Sequence, residues 1–301
     1  METTKEDIRV IPATQLDFIE VTHFGQCSPD NSRLCCVIGG VHGNEVMAIR
    51  GVELLRDHLK EGTGLLASYL TSQIRIDVIP CVNRVGFLAG ARSCPTYDGF
   101  VPAATSTSTS TITPLIPDGK TDESIKVPML KFDCKLKKVV VPEDEKGSMK
   151  LPPGWWDANR LWEDNHTLAK RHIQGILDKH KPSCIVFNHD WAATQAKAKA
   201  FGTDVQSVKE ICRVFERFYP SRTPFGKQWE FLEQATEDAD QAQMCWYIWK
   251  KYGVPSFLLE TYFKSDESPQ LHFALTLFLL AKFAMQTDKP VDAATGKAPF
   301  N

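Results

Sequence analysis

A histidine and a glutamate stand three residues apart, at His42 and Glu45, in the run Gly-Gly-Val-His-Gly-Asn-Glu. An imidazole nitrogen and a carboxylate oxygen both suit zinc, at about 2.0–2.2 Å. The glycines allow the backbone to turn sharply enough to aim both side chains at one point. Two alternatives stay open: Glu45 is a favourable charge in a first helical turn that Asn44 caps, and His42 is a hydrogen-bonded loop histidine. His58 and Glu61 share the spacing but lack the glycine turn and a preceding strand, so they are predicted to lie on a solvated helix face.

A catalytic zinc ion usually has three protein ligands, so a third ligand must come from elsewhere in the chain. We predict His189, because it follows the apolar strand candidate Cys184–Phe187. Asp190 beside it could orient a ligand by a hydrogen bond. His23, near the first predicted strand, is the reserve candidate. The other histidines lie on or at the ends of predicted helices, where surface and core roles are commoner: His166, His172, His180 and His272.

A second carboxylate, Glu260, ends the apolar run Pro255–Leu259. Partial desolvation there should raise its pKa toward values that are useful for proton transfer. A strand-end glutamate that faces water is an equally good interpretation of the position alone.

Two segments are suited to bind an anion. Residues 155–162, with three tryptophans, place an amide beside a guanidinium at Asn159 and Arg160, which suits bidentate capture of a carboxylate. The alternative for this segment is a buried structural Arg–Asp pair with aromatic stacking, formed with Asp157. The segment 82–92 adds three polar candidates: Asn83, Arg84 and Arg92.

Strand and helix patterns alternate along the chain, which favours an α/β sandwich with a largely parallel sheet. The predicted strands are Leu34–Ile38, Ile74–Ile79, Cys184–Phe187 and Pro255–Leu259, and the predicted helices are Glu45–Leu59, His166–His180, Gln241–Tyr252 and Gln270–Met285. His42, His189 and Glu260 all follow predicted strands. Open α/β sheets form their sites outside the carboxyl ends of strands.

The composition limits the class of protein. The chain has 301 residues, 43% of them hydrophobic and 24% charged, which is ordinary for a globular protein, and we interpret residues 1–301 as a single domain. A net charge of -2 predicts neither a nucleic-acid nor an anionic membrane partner.

The longest apolar stretch, Phe273–Ala281, is far shorter than the roughly 20 residues of a membrane span. Nine cysteines without a C-x-x-C pair, and a start without a secretory signal, predict reduced thiols and a cytoplasmic protein. The oligomeric state is left open.

One stretch differs from the rest of the chain. Residues 105–111 are all Ser or Thr, and residues 93–153 are rich in Pro, Ser, Thr and Lys. We interpret 93–153 as an insertion with one strand at Lys138–Val141. A surface excursion is favoured over a flap that covers a site.

Taken in order, these motifs resemble the zinc carboxypeptidase superfamily, which includes the aspartoacylase and succinylglutamate desuccinylase branch. The His42–Glu45 run is similar to that branch's first zinc motif, and Asp-Ala-Asn-Arg, ending at Arg160, to the D-x-N-R carboxylate motif. His189 and Glu260 match the third ligand and the catalytic glutamate. Asn83–Arg92 is similar to the N-P-D-G…G-x-x-R segment, although Arg84-Val85 replaces Pro-Asp and 68 positions, 160 minus 92, separate the two arginines. A tyrosine that some members bring over the substrate has no clear match among Tyr247, Tyr252 and Tyr262.

The resemblance implies a three-layer α/β sandwich around a mixed, mostly parallel sheet, with one Zn²⁺ per chain held by His42, Glu45 and His189. It implies that Glu260 is the catalytic base and that Arg92 stabilises the oxyanion. Asn159 and Arg160 would bind the substrate's carboxylate. The implied activity is that of a metallocarboxypeptidase acting on the C-terminal residue of a peptide.

Two alternatives to this activity remain. The first is a zinc-dependent deacylase of small N-acyl amino acids, which the His-Gly-Asn-Glu motif favours. The 41 residues after Glu260, 301 minus 260, are too few for the extra β domain of aspartoacylase and favour the peptidase instead. The second is a non-catalytic binding protein that keeps the fold.

Overall fold

The computed structural model describes residues 19–25, 33–62, 64–89, 92–95, 132–133, 138–139, 155–159, 167–191, 197–218, 230–234, 243–262 and 266–285. The strands are β1 (Thr22–Phe24), β2 (Leu34–Ile38), β3 (Arg75–Ile79), β4 (Cys94–Pro95), β5 (Phe132–Asp133), β6 (Lys138–Val139), β7 (Trp155–Trp156), β8 (Cys184–Trp191), β9 (Lys197–Gly202), β10 (Glu230–Gln234) and β11 (Ser256–Tyr262). The helices are α1 (Val46–Glu61), α2 (Leu65–Gln73), α3 (Arg84–Ala89), α4 (Leu168–His180), α5 (Val205–Phe218), α6 (Gln243–Tyr252) and α7 (Ser268–Met285).

Seven of these strands form one mixed sheet in the order β1-β3-β2-β8-β11-β9-β10. Four adjacent strands of the sheet, β3, β2, β8 and β11, are parallel to one another. β1 pairs antiparallel with β3, and β9 pairs antiparallel with β11 and parallel with β10. The predicted fold class, an α/β protein with a mixed and mostly parallel sheet, is confirmed.

A hydrophobic core lies on each face of the sheet. Every residue of β2 is buried, as expected for a parallel strand covered on both faces. Cys35 and Val37 pack on the face covered by α1, α2, α5 and α7, whereas Cys36 and Ile38 pack on the face covered by α4 and α6. Two helical layers around one sheet give the predicted three-layer sandwich.

Two central strands extend further than their apolar runs. The predictions for β8 and β11 stopped at the first polar residue, but both ladders continue and pair Glu260 with His189. The polar residues at the end of each strand are therefore held by backbone hydrogen bonds rather than placed on loops. Because the neighbouring strands are parallel, these residues lie at one edge of the sheet.

Only the start, residues 93–95, and two short pieces of the predicted insertion are described. Lys138–Val139 begins the predicted strand Lys138–Val141 and pairs antiparallel with Phe132–Asp133, while Val140 and Val141 lie outside the described residues. The start of the segment lies beside the strand that follows it, since Cys94 pairs with Trp156 across β4 and β7. The single-domain interpretation of 1–301 stays a prediction.

None of the helices that the structure describes has the length and apolar character of a membrane span.

Candidate metal centre

His42, Glu45 and His189 converge on one buried point. One potential ligand atom from each lies within 4.8 Å of the others. Within the described part of the chain, this is the one group of histidine, cysteine and carboxylate side chains with such geometry. His42 Nδ1 lies 2.5 Å from Glu45 Oε1, and His189 Nδ1 lies 3.0 Å from Glu45 Oε2. The side chains are only 1%, 5% and 1% exposed, so bulk water does not screen them.

Glycines shape the turn that carries His42. Gly40 has a φ of +60°, a conformation that L side chains rarely adopt, and a Cβ there would lie 2.9 Å from Cys81 Sγ. A Cβ on Gly43 would lie 2.0 Å from the carbonyl carbon of Gly86, so the turn packs directly against the backbone of α3. The glycine turn is therefore a requirement of close packing, and it points His42 into the cluster.

The first turn of α1 is fixed by a residue from another strand. Glu45 occupies the N-cap position without a side-chain capping bond, so the proposed Asn44 cap is wrong. Instead, Met47 N donates to Asp190 Oδ2 at 2.9 Å, and Asp190 Oδ1 lies 3.1 Å from His272 Nε2. Asp190 therefore joins the strand end that carries His189 to the helix start that carries Glu45.

Asp157 holds the second nitrogen of His42. Its Oδ1 lies 2.9 Å from His42 Nε2, and its Oδ2 accepts a hydrogen bond from Arg92 Nε at 3.1 Å. A proton on Nε2 donates to this carboxylate and leaves the lone pair of Nδ1 directed at the cluster, which is the usual arrangement of a metal-binding histidine. Burial alone raises the pKa of Asp157, but the hydrogen bond from His42 and the charge of Arg92 hold it well below its usual range.

The charges and contacts of the cluster fit a divalent cation. Burial raises the pKa of Glu45, but the two histidines outweigh it and keep the carboxylate ionised. Burial lowers the pKa of His189, which favours its neutral, ligating form. Glu45 Oε2 faces His189 Nδ1 at 3.0 Å, yet this oxygen is buried without a well-aligned hydrogen bond. Two imidazoles and one carboxylate are the donor set of many catalytic zinc sites, and a shared cation accounts for atoms that face one another without such a bond.

Glu260 lies beside this cluster in the next strand. It is 6% exposed, and its Oε2 is buried without a hydrogen-bond partner. Burial, with the negative charge of Glu45, raises the pKa of Glu260 to about 7. The alternative of a glutamate that faces water is therefore wrong. The side chain suits proton exchange near neutral pH.

Arg92 reaches the cluster from the chain segment after α3. Besides its bond to Asp157, its Nη1 donates to Glu45 Oε1 at 3.2 Å. Asn83 fixes this segment, because its Nδ2 donates to the carbonyl oxygens of Val41 and Ser93 at 3.2 and 3.1 Å. The side-chain amide of Asn83 thereby holds together the turn before His42 and the residue after Arg92.

The predicted carboxylate-binding pair is only partly described. Asn159 is 1% exposed, and its backbone N donates to Asp157 Oδ1 at 2.9 Å. Arg160 lies outside the described residues. The alternative of a structural Arg–Asp pair within this segment is not tested; among the described residues, Arg92 bonds to Asp157.

Comparison of the sequence with protein-family models and with curated proteins gives no match. The structure, in contrast, is similar to a metallo-carboxypeptidase from Burkholderia cenocepacia, with a TM-score of 0.51 and 14% identity over 88% of this chain and 61% of that one. It is similar to the metallo-carboxypeptidase from Pseudomonas aeruginosa in complex with (2-guanidinoethylmercapto)succinic acid, with a TM-score of 0.53 and 15% identity over 94% of this chain and 64% of that one. This chain has the metallocarboxypeptidase fold.

A third similar structure is thrombin activatable fibrinolysis inhibitor, with a TM-score of 0.55 and 11% identity over 91% of this chain and 66% of that one. The chain thus spans 61–66% of the length of these three proteins. The resemblance to the zinc carboxypeptidase superfamily is supported at the level of the fold.

The other histidine candidates that the structure describes lie outside the His42–Glu45–His189 cluster. His23, the reserve ligand, pairs with Asp77 at 2.7 Å in the β1–β3 pair. His272 lies in a buried network on the α7 face, where its Nδ1 lies 3.0 Å from Asn188 Oδ1. His58 makes an edge contact with Phe273. His172 and His180 lie on α4, and His166 lies outside the described residues.

The three tyrosine candidates lie on two elements. Tyr262 is buried in the core on the α7 face, and Tyr247 and Tyr252 pack from α6 against the opposite core. None of their described contacts joins them to the metal cluster.

One charged residue of this edge was missed by sequence reasoning. Lys199 of β9 is only 7% exposed and stands directly opposite Glu260 in the antiparallel β11–β9 pair. The alternation Lys-Ala-Lys-Ala at 197–200 was the available signal, because small buried residues alternate with longer ones along a strand.

Proposed function

We propose that this chain is a zinc-dependent hydrolase that cleaves the amide bond next to a free carboxylate, most directly at the C-terminal residue of a peptide. One observation carries the proposal. A buried His–Glu–His cluster lies beside a second buried carboxylate at the carboxyl edge of a metallocarboxypeptidase fold.

His42, Glu45 and His189 would hold one zinc ion through the atoms that now face one another. A zinc ion so held supplies a bound water of lowered pKa and polarises the substrate carbonyl. Asp157 and Asp190 support this set from outside: Asp157 orients His42, and Asp190 fixes the helix start that carries Glu45.

Glu260 would act as the base and then as the acid. Its buried Oε2 has no hydrogen-bond partner among the described residues, so it is free to accept a proton from the attacking water. Burial raises the pKa of this carboxyl above its ordinary value, which suits it to hold the proton and return it to the leaving amine. A glutamate of ordinary pKa would hold that proton less well at neutral pH.

Arg92, Asn159 and Arg160 would position and stabilise the substrate. Arg92 is held rigidly by Asp157 and Glu45, which suits it to stabilise a developing oxyanion without reorganising. Asn159 and Arg160 would bind the free carboxylate and so select which amide bond reaches the reacting centre.

The deacylase of small N-acyl amino acids keeps these roles and changes only the substrate. The His-Gly-Asn-Glu motif favours it. The non-catalytic binding protein is disfavoured, because a buried glutamate with a raised pKa destabilises a fold that has no use for it. A cytoplasmic location and the lack of nucleic-acid and membrane partners stay predictions.

The deciding experiment measures release of the C-terminal residue from N-blocked peptides alongside hydrolysis of N-acetyl and N-succinyl amino acids, with zinc-loaded protein. Faster peptide cleavage supports the carboxypeptidase, and faster N-acyl cleavage supports the deacylase. Hydrolysis of neither class by protein that holds zinc would refute both enzyme proposals.

A further inference from the structure

A buried polar network lies behind the metal cluster, on the face of the sheet that α7 covers. Side chains alternate between the two faces along a strand, so Asn188 and Asp190 of β8 point to the face opposite that of His189. There they meet His272 of α7. The members of the network are at most 8% exposed: Asn188, Asp190, Thr261, His272 and Thr276. Because burial removes water as a partner, hydrogen bonds within the network set the orientation of each side chain.

His272 is held through both of its ring nitrogens. Nδ1 lies 3.0 Å from the amide oxygen of Asn188, which only accepts, so Nδ1 donates this hydrogen bond. Nε2 lies 3.1 Å from Asp190 Oδ1 and 2.9 Å from the hydroxyl of Thr261. A proton lies between Nε2 and Asp190 Oδ1, since otherwise two lone pairs would face each other in a buried site. The imidazole therefore fixes one oxygen of Asp190.

The other oxygen of Asp190 fixes the start of α1. Oδ2 accepts a hydrogen bond from the backbone N of Met47 at 2.9 Å. No local side chain supplies this cap: Glu45 makes no side-chain capping bond, and Asn44 Oδ1 is buried without a hydrogen-bond partner among the described residues. The first turn of α1, which carries Glu45, is thus held by a strand residue whose own orientation depends on His272.

A glycine brings α1 close enough to α7 for this arrangement. A Cβ on Gly51 of α1 would lie 2.4 Å from His272 Cβ and 3.0 Å from the carbonyl oxygen of Pro269. The backbone of α1 therefore packs directly against His272, in a gap that only glycine fits. His272 thus contacts the helix that begins beside Glu45 and, through Asp190, the strand that carries His189.

We propose that His272 is a positioning residue of the metal centre, because through Asp190 it holds the first turn of α1 so that Glu45 faces His189. The inference rests on the proposed function, since it concerns the zinc site that this function requires. His272 would act through the affinity for zinc.

Two substitutions at His272 separate its hydrogen bond to Asp190 from its packing. Glutamine places an amide donor near the position of Nε2, whereas asparagine reaches only the position of Nδ1. Both remove the ring, so both should lower the melting temperature. We expect His272→Asn to raise the zinc dissociation constant about 10-fold, the lower end of the range for partners outside the ligand set. His272→Gln should stay within about threefold of the wild type, which competition with a chromophoric chelator resolves.

Two threonines of the same network provide a second pair of variants. Thr261 Oγ1 lies 2.9 Å from His272 Nε2, on the side of Asp190, whereas Thr276 Oγ1 donates to Asn188 Oδ1 at 3.1 Å. Thr261→Val should raise the zinc dissociation constant about 2- to 10-fold, the range of one neutral hydrogen bond. Thr276→Val is the matched control and should lower the melting temperature without a change in zinc affinity. This pair decides the question if His272→Asn does not fold.

The possible failures are distinguishable. Wild-type zinc affinity in folded His272→Asn, or in Thr261→Val where His272→Asn does not fold, would overturn the inference and leave the proposed function standing. Equal weakening of zinc binding in the two His272 variants, or in the two threonine variants, would show a general structural role and overturn it as well. A wild-type protein that holds zinc but cleaves neither substrate class would refute the proposed function alone, whereas one that binds no zinc would overturn both.

Discussion

Replacing Asp157 with asparagine tests whether this carboxylate, which lies outside the His42–Glu45–His189 cluster, strengthens metal binding by the cluster. The carboxylate accepts from His42 Nε2 at 2.9 Å and from Arg92 Nε at 3.1 Å. The amide keeps the shape but removes the charge from both hydrogen bonds. The carboxylate of Asp157 also binds one nitrogen of Arg92. Without that charge, the Arg92 guanidinium binds mainly to Glu45, 3.2 Å away, and competes with a metal for this carboxylate.

The size of the effect follows from these contacts. A hydrogen bond to a charged group contributes about 1.5–3 kcal/mol, and Asp157 is 21% exposed, which places the loss toward the lower end. Removing such an outer partner typically weakens metal binding 10- to 100-fold, or about 1.4–2.8 kcal/mol. We therefore expect Asp157→Asn to raise the zinc dissociation constant about 10- to 100-fold.

Competition with a chromophoric chelator at fixed pH measures this constant directly. Asp178→Asn, at an exposed position on α4, is the matched control and should bind zinc like the wild type. Equal zinc affinities in Asp157→Asn and the wild type would refute the argument that Asp157 orients His42 for a metal.

Three further predictions concern Glu260 and the glycine turn. Glu260→Gln should retain one zinc ion per chain and lose at least about 100-fold in kcat, and unchanged turnover on a cleaved substrate would remove Glu260 from the mechanism. Burial raises the pKa of Glu260 from 4.5 to about 7, so the stability that its protonated form gives the metal-free wild type is present below pH 4.5 and is lost as the pH rises through 7. Metal-free Glu260→Gln should therefore be more stable than the wild type by on the order of 3 kcal/mol at pH 8 but not at pH 4. Thermal unfolding of both proteins at the two pH values measures this difference. Gly43→Ala puts a Cβ 2.0 Å from the carbonyl carbon of Gly86, so it should destabilise the fold by about 1–3 kcal/mol and weaken zinc binding. The control Gly175→Ala, where a Cβ meets nothing within 4 Å, should do neither. Equal melting temperatures for the two variants would contradict the close packing of the turn.

The parallel core was predictable because its signal is local. Runs such as Leu34–Ile38 are apolar throughout, since a strand covered on both faces has no solvent side. The residues of the buried His–Glu–His cluster were predicted for a related reason: a glycine turn or a strand end precedes each of them. The starts and ends of the four predicted helices were within a few residues of their positions in α1, α4, α6 and α7, whereas α2, α3 and α5 were not predicted.

The parts that were missed depend on distant contacts. The apolar criterion ended β8 and β11 too early, because the ladder that pairs His189 with Glu260 holds polar residues inside the strands. Asp190 caps α1 from a position 143 residues away, which no local capping pattern reveals. Strand β9 was missed because it consists of lysines and alanines, and with it the buried position of Lys199. The bond from Asp157 to His42 spans 115 positions.

The most direct test is the zinc content of purified protein by atomic emission, for the wild type, His189→Ala and the control His180→Ala. His180 lies at the end of α4, outside the cluster. The wild type and the control should each hold about one zinc ion per chain after dialysis against metal-free buffer, and His189→Ala should hold almost none. Full zinc content in His189→Ala would show that the ion does not bind where His42, Glu45 and His189 meet.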